Sequence, residues 1–126
     1  MAERKQQKRV AGKPYMVRQG DVLLLEVESL PSGAKLVKRG NDKRGIILAL
    51  GESSGHGHGI ASRQAREFMH GEDRYVVIGG KGATLSHEMP DRAPTGDHAP
   101  VKLPAATFRL VQQREYSDEM VMLVAD

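Results

Sequence analysis

The sequence contains no cysteine and no tryptophan in 126 residues. Without thiols there is no disulfide, no thiolate nucleophile and no cysteine-ligated zinc, and the chain suits a reducing compartment. Aromatic residues make up only 4%, too few for a surface that stacks nucleobases or sugars. No apolar run approaches the roughly 18 residues of a membrane-spanning helix. The first residues also lack the apolar core of a secretory signal, so export by that route is not expected. Two catalytic signatures are missing as well. There is no G-x-x-x-x-G-K-[ST] phosphate loop, and Ser53 and Ser54 do not sit in a G-x-S-x-G nucleophile elbow.

What is present begins with an uneven charge. Arg4, Lys5, Lys8, Arg9, Lys13 and Arg18 stand against Glu3 alone in the first 20 residues, a net of +5 within a chain of net +3. The body that follows is therefore close to neutral. Residues 1–14 read as a basic N-terminal arm closed by Pro14, and residues 15–126 as a single domain of ordinary size. Arg4, Lys5, Lys8, Arg9 and Lys13 are the candidate partner-binding residues. They suit an acidic protein surface or nucleic-acid phosphates without base readout, or else a solvated tail.

Short β-type segments fill the body. Tyr15 to Arg18 and Val22 to Glu28 flank a Gly20-Asp21 turn, and Leu23, Leu25 and Val27 share one face of the second. Ala34 to Lys38 reads as a short strand with Leu36 inward. Ile46 to Leu50 is an unbroken apolar run, expected to be covered on both sides. Residues 61–70 have good helix formers, but the short connection at Gly71 favours a hairpin with Arg74 to Ile78. Ala83 to His87 gives a further strand, residues 89–104 with four prolines give a loop, and Ala105 to Arg114 alternates Ala106, Phe108 and Leu110 inward. Met120 to Val124 could pair at an edge. Turn signals every eight to twelve residues predict an all-β domain, a small β-barrel or β-sandwich.

The densest chemistry lies in Gly51-Glu52-Ser53-Ser54-Gly55-His56-Gly57-His58-Gly59, where four of nine residues are glycine. An extended segment puts His56 and His58 on the same side, because strand side chains alternate. His87 and His98 follow in a second loop-rich region. Neutral imidazoles converging from separate segments make a zinc, iron or manganese site, so His56, His58, His87 and His98 are the candidate metal ligands. Glu52 and Glu88 could ligate or support them. The competing reading is that Gly55, Gly57 and Gly59 serve a tight loop and the histidines are polar loop residues. His70, beside a turn, reads as exposed.

Gly51, His56 and His58, with His98 after Pro94 and Gly96, resemble the two motifs of a cupin. The glutamate of the first cupin motif would fall near Ser62 or Arg63, and the chain has none there. The order Arg18-Gln19-Gly20-Asp21, Gly51-Glu52, His56-Gly57-His58, His87-Glu88, His98-Ala99-Pro100 and Gln113-Arg114-Glu115-Tyr116 is similar to a family of short, uncharacterised proteins of bacteria and tailed phages. Its second histidine site is H-E-x-H-like, whereas Met89 to Asp97 here separates Glu88 from His98. The resemblance implies a fold and a phage or bacterial setting, without an activity.

Three functions are compatible with this sequence. The first is a non-enzymatic virion component, such as a capsid decoration or accessory head protein, located in the virion or host cytoplasm and joined to a protein assembly (a capsid or a homo-oligomer). The second is a metal-binding, cupin-like enzyme acting on a small molecule. The third is a nucleic-acid-binding accessory protein working through the arm. The first is the leading expectation.

Overall fold

The computed structural model describes residues 15–51 and 54–111. The basic arm with Arg4, Lys5, Lys8, Arg9 and Lys13, as well as Glu52, the Arg114–Glu115 pair and the segment from Met120 to Val124, lies outside the described residues. Ten strands form among the described residues: β1 Met16–Gln19, β2 Val22–Val27, β3 Lys35–Leu36, β4 Ile46–Leu50, β5 Gly57–Ile60, β6 Ala65–His70, β7 Asp73–Ile78, β8 Ala83–Glu88, β9 Val101–Leu103 and β10 Ala106–Val111. No helix occurs among the described residues.

The strands divide into two antiparallel sheets, one of order β1-β2-β10-β7-β6-β3 and the other β4-β5-β8-β9. They face each other as an open sandwich, one of the two all-β forms that the sequence predicts. Tyr15, Val17, Val22, Leu24 and Phe108 from the first sheet meet Ile46, Leu48, Ile60, Leu85 and Leu103 from the second. Each large side chain buried this fully contributes roughly 1.5–3 kcal/mol of transfer free energy.

Most elements follow their sequence pattern. Residues 65–78 are a hairpin, with His70 opposite Asp73, because Tyr75-Val76-Val77-Ile78 offers a β-branched partner that a helix would waste. Phe108 and Leu110 point into the core as alternation requires. Two details differ. In β2 the sandwich core takes Val22 and Leu24, on the same face as Glu26. Leu23, partly covered Leu25, Met16 and Val111 form a smaller cluster on the outer face. Leu36 is 61% exposed, since β3 is a two-residue edge strand paired only to β6, too short to carry a side chain over the core. β4 is covered more completely on the Ile46 and Leu48 side than on the other, and Leu50 is exposed.

Candidate metal centre

His58 on β5 stands directly across from His87 on β8, two pairs beyond Ile60 and Leu85. Alternation gives all four side chains the same face of the sheet. Ile60 and Leu85 close the core, and the histidines continue that layer towards its open end. Their rings are 4.5 Å apart between centroids. His98 arrives from the proline-rich loop, 4.8 Å from the His87 ring and 5.5 Å from the His58 ring. The loop is folded back by a bridge between Glu88 and Pro94 and by Met89 N–H donating to Ala93 O at 2.8 Å. Its turn holds Arg92 at φ 74°, the one non-glycine residue with positive φ among those described. His56 lies at the mouth, 5.6 Å from the His87 ring.

All four sequence-predicted histidines therefore line one open pocket of about 450 Å³, with Asp21, Ser54 and Asp97 also in its wall. His58, His87 and His98 offer ligating atoms within 4.8 Å of one another, and so do His56, His87 and Asp97. A tetrahedral zinc at about 2.0–2.1 Å from each nitrogen spaces its ligands by roughly 3.3 Å, a short closure from that limit.

The orientation of two imidazoles follows from residues that sequence reasoning did not single out. Gln19, 3% exposed at the end of β1, donates through Nε2 to Leu85 O at 3.0 Å and Ala99 O at 2.9 Å. Two carbonyl acceptors fix which end of the amide is nitrogen, so Oε1 is the atom 2.7 Å from His58 Nδ1. An amide oxygen only accepts, hence His58 Nδ1 carries the proton and Nε2 keeps its lone pair. The same Gln19 ties β8 to the loop residue next to His98. His87 Nδ1 is hydrogen-bonded to Thr95 Oγ1. That hydroxyl donates to His87 O at 3.4 Å and accepts from Asp97 N–H at 3.2 Å, leaving it to accept from Nδ1–H. His87 Nε2 is thus also free. Support of this kind is what orients metal-binding histidines.

Electrostatics keeps these rings neutral. Burial, reinforced by His87 and His98 nearby and opposed by Asp21, lowers the His58 pKa from 6.5 to about 4. Burial also lowers His87, with the neighbouring His98 adding to the shift, Asp97 opposing it and His56 adding to it. Neutral imidazole is the form that binds a metal.

The glycines of the motif have two separate causes. Gly55 has φ 73°, a turn conformation as the tight-loop reading requires. Gly57 and Gly59 instead belong to β5, on the face opposite the histidines. A Cβ at Gly57 would lie 2.8 Å from Arg44 Nη1, and one at Gly59 2.8 Å from Arg44 O. Arg44, 4% exposed, occupies that face. It donates from Nε and Nη2 to the two Asp42 carboxylate oxygens, each at 2.9 Å, and from Nη1 to Gly55 O at 2.8 Å and Glu88 O at 3.3 Å. Sequence reasoning missed this clamp between the two histidine-bearing segments. The spacing Asp42-x-Arg44 was its only trace.

Glu88 does not support the histidines as expected. It alternates with His87 along β8 and pairs with Arg92 at 3.2 Å. His70 is exposed, as expected. A cleft of about 530 Å³ between residues 36–47 and 65–67 offers no comparable donor set. Its Arg39 is bound to the carbonyls of Ala61, Ser62 and Ala65, its Asp42 to Arg44 and its Glu67 to Arg74.

Residues 18–113 match the profile of a family described as a domain of unknown function, DUF8820. The chain belongs to that family. The matched span includes Gln19, Arg44, Thr95 and all four pocket histidines, so the whole centre lies within the DUF8820 domain. As the sequence resemblance implied, the family is uncharacterised. No curated protein and no solved structure matches the chain.

Proposed function

We propose that this DUF8820 domain is a metal-binding module that holds one divalent transition-metal ion through His58, His87 and His98. The observation that carries this reading is the commitment of two Nδ1 atoms, one to Gln19 and one to Thr95, which leaves each Nε2 its lone pair on rings that line a common pocket with His98. A core histidine satisfied for packing alone needs no third imidazole beside it. Three imidazoles favour zinc or iron over magnesium or calcium, with manganese a weaker competitor. Three protein ligands leave a coordination position open towards the pocket mouth, where a small molecule or water could bind.

The virion-accessory role is a separate proposal about partners. It rests on the basic residues 1–14 and on the phage resemblance, and it is compatible with a metal-holding body. The same residues carry the nucleic-acid alternative.

Elemental analysis of protein purified without chelator tests the metal reading. The expected result is close to one equivalent of zinc, iron or manganese in the wild type and under about 0.1 equivalent in His87→Ala. Protein that stays metal-free when dialysed against each ion would end it.

A further inference from the structure

The pocket contains two possible ligand triads, and His87 belongs to both. The inner one uses buried His58, together with His98 and His87. The outer one uses His56, half-buried at the mouth, and Asp97, whose side chain is 61% exposed. His87 Nδ1 is hydrogen-bonded to Thr95, so this residue has one lone pair to give, on Nε2. One nitrogen lone pair serves one ion.

We propose that His56, Asp97 and His87 form an outer capture site through which the metal reaches the inner site, with the two sites occupied in turn and never together. This rests on the metal-binding function proposed above. His56 Nδ1 and Asp97 Oδ2 are 3.6 Å apart, an ion-pair distance too long for a hydrogen bond, so both keep lone pairs for an incoming cation. The Asp97 carboxylate adds a negative charge at the solvent edge, which concentrates cations there. An ion held between Asp97 and His87 needs only to exchange Asp97 for His98, its sequence neighbour, and His56 for His58, two residues along the same segment. Each exchange replaces a mouth ligand by one deeper in the pocket, while His87 stays bound throughout. Thr95 organises the path, since its hydroxyl receives both His87 Nδ1–H and Asp97 N–H.

The test combines a zinc titration with stopped-flow loading from, and release to, a chromophoric chelator. It uses the wild-type chain, His56→Ala/Asp97→Ala and His58→Ala, each first checked for unchanged far-ultraviolet circular dichroism. The wild type should saturate at one equivalent. His56→Ala/Asp97→Ala should also saturate at one, with affinity within about threefold of wild type, while loading and release both slow by about tenfold or more. His58→Ala should keep a weaker, single equivalent that Asp97→Ala then removes. Two equivalents in the wild type would overturn the proposal. So would unchanged loading in the double variant, or a loss of affinity there without slower loading, which would make His56 and Asp97 ordinary ligands of one site. In those cases the metal-binding function stands. A wild type that binds no zinc, iron or manganese overturns both.

Discussion

The two faces of β5 carry opposite designs. Inward, the chain presents His56, His58 and Ile60 in succession, a gradient from solvent to core built on side chains. Outward, it presents Gly57 and Gly59, and the space they leave is filled by Arg44 reaching over from the start of β4. The inward face holds groups with free lone pairs. The outward face holds a cation whose donors go to Asp42, Gly55 O and Glu88 O. Reactive groups are thus kept in place by satisfied ones lying behind them, on the face that the ion itself would not touch. A motif of alternating glycine and histidine can therefore encode the site and its support in one strand.

Acid should separate the faces most strongly. In the metal-free protein the unfolded chain takes up a proton at His58 below pH 6.5, while the folded chain does not until about pH 4. Stability from this group is then complete above pH 6.5 and is lost as pH falls towards 4, by roughly 3 kcal/mol, with lowered His87 acting in the same direction. The outer face changes little in that window, because the hydrogen bonds to Arg44 lower Asp42 from 3.8 to about 2, and stability from that group is lost mainly as pH falls from about 3.8 towards 2. Urea unfolding at pH 7 and pH 4.5 measures the difference. An equal loss in His58→Gln would show that His58 is not its main source.

Next come the glycines. Gly59→Ala puts a methyl group against the backbone of Arg44, whereas Gly57→Ala meets the movable ends of Arg44 and Leu50. The first should destabilise by about 1–3 kcal/mol and the second by clearly less. Equal thermal shifts in the two variants would mean that Arg44 is not wedged there as described. Last, because its readout is affinity, is Gln19→Leu, which removes the amide that fixes the His58 tautomer and leaves the carbonyls of Leu85 and Ala99 without that donor. Zinc affinity should fall about 10–100-fold, together with a lowered melting temperature. Unchanged affinity would reduce Gln19 to a structural crosslink.

Much of this was legible in the residues themselves. Period-two alternation marked Ala106–Val111, and the β-branched run at 75–78 overruled the helix formers before it. The four histidines stood out by type and spacing. Where local pattern misled, the cause was nonlocal. Leu36 looks like a core residue until its strand proves to be two residues long, and β2 buries both faces, so its Glu26 side could still be the core side. Gln19 and Arg44 were illegible as site residues because their partners lie far along the chain. Gln19 bonds 39, 66 and 80 residues away, and Arg44 reaches Glu88 over 44. Nothing in a single sequence announces a buried glutamine whose task is to choose a tautomer.

The irregularity in β4 has a consequence of another kind. This strand is an edge of its sheet, and its pairing with β5 shifts between Ile47 and Ala49. Arg74 from the other sheet donates to the carbonyls of Ile47 and Leu48, at 2.7 and 3.2 Å. An apolar edge such as Ile46-Ile47-Leu48-Ala49-Leu50 is the kind of strand that recruits copies of itself into aggregates. With its ladder broken by the shift and two of its acceptors already taken, it makes a poor template, and so the least polar stretch of the chain can border an open pocket and still offer little to a second copy.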